Sequence, residues 1–253
     1  MLRATGDYAA ARPYYEQVLK IRTKVLGAEH RDTATSLFSL GVLLHDQGDD
    51  AGAPSYLEQA LKIQRKVLGE EHQDTVYSLG YLGDVLMAQG DLPAARVYYE
   101  QALKTQVKLS GEGHPDTTTA LSGLGFLLGR QGDYAAARAY VEKALQIRRK
   151  FSGEEHPATA AVLHNLAGLL EDQGDYSGAK KNYEQVLRIY RKVHGEEHPN
   201  TATVLNDIAV LVFYQGDYSG ARPFYDQSLA IRRKVLGAKH PSTVCIKGVR
   251  PLL

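Results

Sequence analysis

One unit of forty-two residues recurs down this chain without a slip, and that constrains the fold more than anything else in it. Gly-Asp stands at 6–7, 48–49, 90–91, 132–133, 174–175 and 216–217. A second glycine keeps the same interval at Gly27, Gly69, Gly111, Gly153, Gly195 and Gly237. So do a histidine (His30, His72, His114, His156, His198, His240) and a threonine (Thr33, Thr75, Thr117, Thr159, Thr201, Thr243). Self-similarity at a fixed period of roughly 20–50 residues is the mark of stacked supersecondary units whose core forms only between neighbours.

Each unit reads as two helices. In the one that opens at Gly132, the glycine ends the preceding helix and Asp133 caps the next. Tyr134, Ala137, Tyr140, Val141, Ala144, Leu145 and Ile147 then recur at the spacing of one helical face. Arg148, Arg149 and Lys150 sit at its C-terminal end, where cations suit the helix dipole, and Gly153 breaks it. After the turn Glu154-Glu155-His156, Pro157 takes the first position of a second helix that runs to about Gln173, with Leu163, Leu166, Ala167 and Leu170 as its buried stripe.

Small residues fill the columns where helices must come close: Ala11, Ala53, Ala95, Ala137, Ala179 and Ala221, then Gly41, Gly83, Gly125, Ala167 and Ala209. Leu19, Leu61, Leu103, Leu145, Leu187 and Leu229 supply large partners. The expected fold is all-α, a right-handed superhelical solenoid of antiparallel helix pairs. Residues 1–240 are expected to hold the second helix of one unit and then five full pairs, and 241–253 the truncated start of a further one. Neither end has the polar face of a capping repeat. That leads to the expectation of either a longer parent chain or self-association through uncapped ends. Pro13, Pro54 and Pro223 are expected to bend their helices, and Asp50 stands where Tyr8, Tyr134, Tyr176 and Tyr218 open the corresponding helix.

The pattern Leu121, Leu124, Gly125, Leu128, Gln131, Gly132, Asp133, Tyr134, Ala137, Val141, Ala144 and Leu145 resembles the tetratricopeptide repeat (TPR). The common repeat has about 34 residues. Here the extra ones lie around IRRKFSGEEHPAT, residues 147–159, and this longer form resembles the repeats of kinesin light chains and of repeat tails on some multidomain signalling proteins. The resemblance implies a groove lined by the first helix of each unit and a protein or peptide partner lying in it. Carried onto this chain, it places Thr35, Tyr77, Thr119, Ala161 and Thr203 in one groove column. A second holds Phe38, Gly80, Ser122, His164 and Asn206, and a third Ser39, Tyr81, Gly123, Asn165 and Asp207. Val42, Asp84, Phe126, Gly168 and Val210 make the fourth, and His45, Met87, Gly129, Glu171 and Phe213 the fifth. Core columns barely change between units while these change freely. The candidate contacts are Phe38, Tyr77, Tyr81, Phe126 and Phe213 as apolar anchors, with His164, Asn165 and Asn206 as hydrogen-bonding groups. Kinesin light chains repeat Leu-Asn-Asn-Leu in this helix, and only Asn165 and Asn206 keep part of it. A carboxylate clamp would need Lys or Arg beside Asn, and only Arg130 comes near.

Chemistry is not indicated. One zinc needs every ligand at about 2.0–2.1 Å, whereas packed helices lie roughly 8–10 Å apart, so equivalent histidines of successive units cannot converge on one ion. No phosphate-binding loop or nucleophile elbow is present, and Gly123-x-Gly125 with Gly129 has the wrong spacing and lies within a helix. No catalytic residue, cofactor or metal is expected. The net charge of +1 and the acidic pairs Glu70-Glu71, Glu154-Glu155 and Glu196-Glu197 that follow the basic clusters argue against nucleic acid. The longest apolar run, about Ile208–Tyr214, falls far short of the ~20 residues that span a bilayer. Cys245 is the sole cysteine, which fits a reducing, cytoplasmic setting. The expected function is a non-catalytic scaffold, or alternatively the sensor region of a larger signalling protein such as an NTPase.

Overall fold

The computed structural model describes residues 8–238 and 240–244. They form twelve helices and no strand among the described residues. In chain order these are α1 (Tyr8–Leu26), α2 (Arg31–Asp46), α3 (Ala53–Leu68), α4 (Gln73–Gln89), α5 (Leu92–Ser110) and α6 (Thr117–Arg130). Then come α7 (Tyr134–Ser152), α8 (Pro157–Asp172), α9 (Tyr176–His194), α10 (Pro199–Tyr214), α11 (Tyr218–Leu236) and the short α12 (Pro241–Val244). The chain divides into two compact units, Met1–Tyr140 and Val141–Leu253.

In the first unit α2 packs on α3 and α4 on α5, while α3 also meets α4 and α5 meets α6. In the second, α8 pairs with α9 and α10 with α11, and α9 meets α10. Each junction has a chemical cause. Gly48, Gly90, Gly132, Gly174 and Gly216 adopt φ of 79° to 85°, a left-handed conformation open to glycine. The following aspartate N–H reaches back to the carbonyl of Leu44, Leu86, Leu128, Leu170 or Val212, closing a Schellman motif. The same aspartate then caps the next helix: Asp91 Oδ1 accepts from Ala94 N–H, Asp133 from Ala136, Asp175 from Gly178 and Asp217 from Gly220.

The histidine column does the equivalent work at the other turn. Nδ1 of His30, His72, His114, His156, His198 and His240 accepts the N–H two residues on, at 3.1–3.3 Å. Thr33, Thr75, Thr159 and Thr201 donate their hydroxyls to the carbonyls of Gly27, Gly69, Gly153 and Gly195 at 2.7–3.0 Å. Arg65, Arg149 and Arg191 pair with Glu70, Glu154 and Glu196 at 2.9–3.0 Å. Lys66, Lys108 and Lys234 reach Glu29, Glu71 and Glu197 at 2.5–2.9 Å, and Lys192 pairs with Glu155 in the same way. The basic clusters are thus neutralised where they stand. Exposed pairs of this kind contribute about 0–1 kcal/mol each.

Only a neutral imidazole can accept at Nδ1, so protonation removes such a cap. At His198 burial, and then the stacked His194 ring 4.4 Å away, lower the proton affinity of the imidazole. A histidine with a depressed folded pKa contributes stability that is complete above its unfolded value and is lost as pH falls through that value toward the folded one. Acidification below about pH 6.5 is therefore expected to loosen the α9–α10 turn. His198→Asn retains a capping side chain without the titration. Thermal unfolding between pH 7.5 and 5 should show a smaller acid loss in that variant than in the parent, and equal losses would refute the assignment.

Two places depart from the regular unit, and the first corrects an expectation. Pro54 does not bend a helix: α3 begins at Ala53, so Pro54 lies in its first turn, and α3 is shortened rather than kinked. Asp50 and Gly52 occupy the turn before it, where the other units already have helix. Pro13 and Pro223 do lie inside α1 and α11, and both helices run through them. In addition, α6 starts at Thr117 rather than at Pro115, because the Thr117 and Thr118 hydroxyls bond the carbonyls of His114 and Pro115 at 2.6 Å and hold that segment as a turn.

The core follows the small and large columns. Ala53, Ala95, Ala137 and Ala179 are wholly buried. A Cβ added at Gly41 would lie 2.7 Å from Leu57, and one at Gly83 or Gly123 would lie 2.7 Å from the Tyr99 ring. Tyr99 of α5 is therefore clasped between the backbones of α4 and α6. The segment 245–253, expected to hold most of the truncated unit, lies outside the described residues.

Candidate functional site

In the first unit the first helices α2, α4 and α6 lie side by side. Phe38 on α2 and Tyr81 on α4 meet edge to face, with ring centroids 5.3 Å apart, half-buried against the core. Tyr77, one turn earlier on α4, is 54% exposed, and Phe126 on α6 is 52% exposed. The four aromatics expected here thus form one half-buried pair and two rings largely in solvent. Between Tyr77 and Asp84 the stripe of α4 is interrupted at Gly80, where an added Cβ would meet nothing within 4 Å.

In the second unit His164 on α8 and Asp207 on α10 bond through Nε2 and Oδ2 at 2.7 Å, and the imidazole lies edge-on to Tyr183 at 5.4 Å. Asn165 is exposed. Asn206 is only 4% exposed and its Oδ1 has no hydrogen-bond partner, so it does not line the open face expected of it. Phe213 is half-buried at the end of α10, packed against Tyr214 at 6.0 Å and Tyr218 at 4.9 Å.

Sequence reasoning missed two carboxylate–phenol pairs. Tyr99 donates to Asp84 Oδ1 at 2.5 Å, and Tyr183 donates to Glu171 Oε2 at 3.0 Å. Burial raises the pKa of Asp84, against the opposing effects of the Tyr99 hydrogen bond and the His45 charge. Glu171 is raised by burial too; the Tyr183 hydrogen bond opposes this, and the charges of Asp207 and Asp172 reinforce it. Burial likewise drives Tyr99 and Tyr183 well above the usual phenol range, and with the nearby Tyr214 and Asp207 it pushes Tyr225 up to about 12. The available signal was co-occurrence. The column Tyr15, Leu57, Tyr99, Val141, Tyr183, Tyr225 holds tyrosine in both pairs whose first helix carries Asp84 or Glu171, but also in the α10–α11 pair, where Val210 and Phe213 stand at those positions. Among the described residues no three His, Cys, Asp or Glu side chains gather as a metal site requires, and no helix is long and apolar enough to cross a membrane.

Helix pairs of constant core presenting a variable first-helix face define a repeat protein of the interaction-scaffold class. The tetratricopeptide repeat family model matches residues 1–66, 53–106, 74–150, 116–192 and 159–234, and the chain belongs to that family. A search of curated sequences finds no match. Among solved structures, the chain is similar to the nearly identical TPR-like repeats of a Podosopora anserina protein designated a kinesin light chain. Identity is 27% over 81% of this chain and 97% of that one, with a TM-score of 0.62. BtubC (BKLC) from P. vanneervenii shares 21% identity over 97% of this chain and 96% of its own, with a TM-score of 0.66. A Rap protein, solved in complex with Competence and Sporulation Factor, shares the fold at 14% identity, with a TM-score of 0.67 over 88% of this chain and 64% of its own. The array is a kinesin-light-chain-like TPR fold, a scaffold type whose members bind protein or peptide partners.

Proposed function

We propose that this chain is a non-catalytic interaction scaffold that holds an extended or short helical peptide of a partner protein on its first-helix faces, as an adaptor of the kinesin-light-chain kind. The observation that carries the reading is the exposure of Tyr77 and Phe126 on helices whose opposite sides are uniform core. Aromatic side chains placed in solvent beside a half-buried pair are the kind of anchor that dominates protein recognition, each worth about 2 kcal/mol or more at a true hot spot. Asn165 offers an exposed amide on the second unit's face, able both to donate to and to accept from a peptide backbone.

Affinity capture on the wild-type chain, with Phe126→Ala and Asn165→Ala as separate baits, tests the proposal. Each substitution is expected to deplete the captured partner about tenfold or more while circular dichroism stays unchanged. Undiminished capture by both baits would move the binding surface off these helices.

A further inference from the structure

We infer that the α4 face of the first unit is a receptor for the cationic end of a Lys or Arg side chain on the partner peptide, with Asp84 as its counter-charge and Phe38, Tyr77 and Tyr81 as its aromatic wall. The inference rests on the peptide-scaffold reading and specifies the partner's chemistry.

The first argument is charge. The chain carries 30 Lys and Arg residues, yet none stands in the five groove columns, which hold three carboxylates, Asp84, Glu171 and Asp207. Asp207 has the His164 imidazole at 2.7 Å. Asp84 has no cation within ion-pair distance among the described residues. The nearest imidazole, His45, is bonded to Asp50 at 2.5 Å. A half-buried carboxylate with one neutral donor retains acceptor capacity on its two oxygens. Its charge is disfavoured until an opposite charge arrives. The Tyr99 hydroxyl holds Oδ1 in place, so the group is already oriented for a ligand.

The second argument is shape. Tyr77, Gly80, Tyr81 and Asp84 follow one stripe of α4, with Gly80 leaving open space over the backbone. Lys and Arg bury a long aliphatic stem and keep the charged head at a polar site. A stem laid over Gly80 brings its head to Asp84. The rings of Tyr77 and Tyr81 border that path, and a cation within about 6 Å of a ring centroid is attracted by the ring face. An acidic residue at this point of the peptide meets Asp84 as a like charge and is rejected.

A phage library of random dodecapeptides selected on the full chain tests this. The expected binders carry Lys or Arg at one shared position. Their affinity falls about tenfold in Asp84→Asn, the loss expected when a charge-assisted contact is removed, and it weakens as salt is raised. Gly80→Leu fills the notch and abolishes capture. It does so in a folded chain, since the site is open and leucine is the better helix former. Neutral or acidic binders that Gly80→Leu blocks overturn the cation receptor and leave the scaffold reading intact, as does an unchanged affinity in Asp84→Asn. Failure to obtain any binder, or binders indifferent to Gly80→Leu and Phe126→Ala alike, overturns both.

Discussion

Alanine at both Gly83 and Gly123 is expected to destabilise the first unit by about 2–4 kcal/mol, several times what either change does alone. Overpacking a filled site costs about 1–3 kcal/mol, while alanine recovers roughly 0.5–1 kcal/mol of helix propensity over glycine. With one substitution the Tyr99 ring can yield toward the remaining glycine, so the two effects nearly cancel. With both, a methyl group presses on each face of the ring, from 2.7 Å away in the present backbone. Sliding along its axis is opposed as well, because the hydroxyl is tied to Asp84 at 2.5 Å. Urea unfolding of the two single variants and the double variant measures the coupling directly. In a Tyr99→Ala background the coupling should vanish. A double variant equal to the sum of two small single effects would show that the clasp is not tight.

In the second unit, Leu205→Ala is expected to cost about 2–5 kcal/mol, the range for truncating a fully buried leucine. Leu205 is 1% exposed in α10, which packs on both α9 and α11. In a stack of repeats each element answers to its immediate neighbours, so the loss should be local. Hydrogen exchange is expected to show the amides of α10 and α11 losing protection first and those of α9 next. A uniform rise in exchange across α8 to α11 would mean that the second unit opens as one block.

Much of this fold was legible in the chain because its determinants are local and repeated. Glycines at positive φ, aspartate caps and proline in the first turn act within a few residues of themselves, so a fixed spacing reveals them. The histidine column shows the same logic: its residues cap helix starts through Nδ1, each acting two residues from itself. Pro54 was misplaced because the start of α3 depends on the Asp50–Gly52 turn, which the regular unit does not foreshadow. The binding face was less legible. Asn206 and Asn165 both stand in the groove columns, yet one is buried and the other exposed. They occupy adjacent columns, one residue apart in the unit, and so point about 100° apart around the helix axis. The pairing of Asp84 and Glu171 with tyrosines escaped notice for a related reason: Tyr99 and Tyr183 belong to the second helix of the pair, at a position that holds Leu57 or Val141 in two other pairs and tyrosine without such a carboxylate at Tyr225.

The bonds that tie one repeat to the next are short-range along the chain. Lys66 reaches back 37 residues to Glu29, and even the His164–Asp207 pair spans only 43. The entropy lost in closing loops of this length is small and the same at every step, and folds built from such local contacts form quickly. A nascent chain of this kind can close each helix pair soon after its second helix leaves the ribosome. Assembly then follows the order of synthesis, with each finished pair serving as the template on which the next one docks.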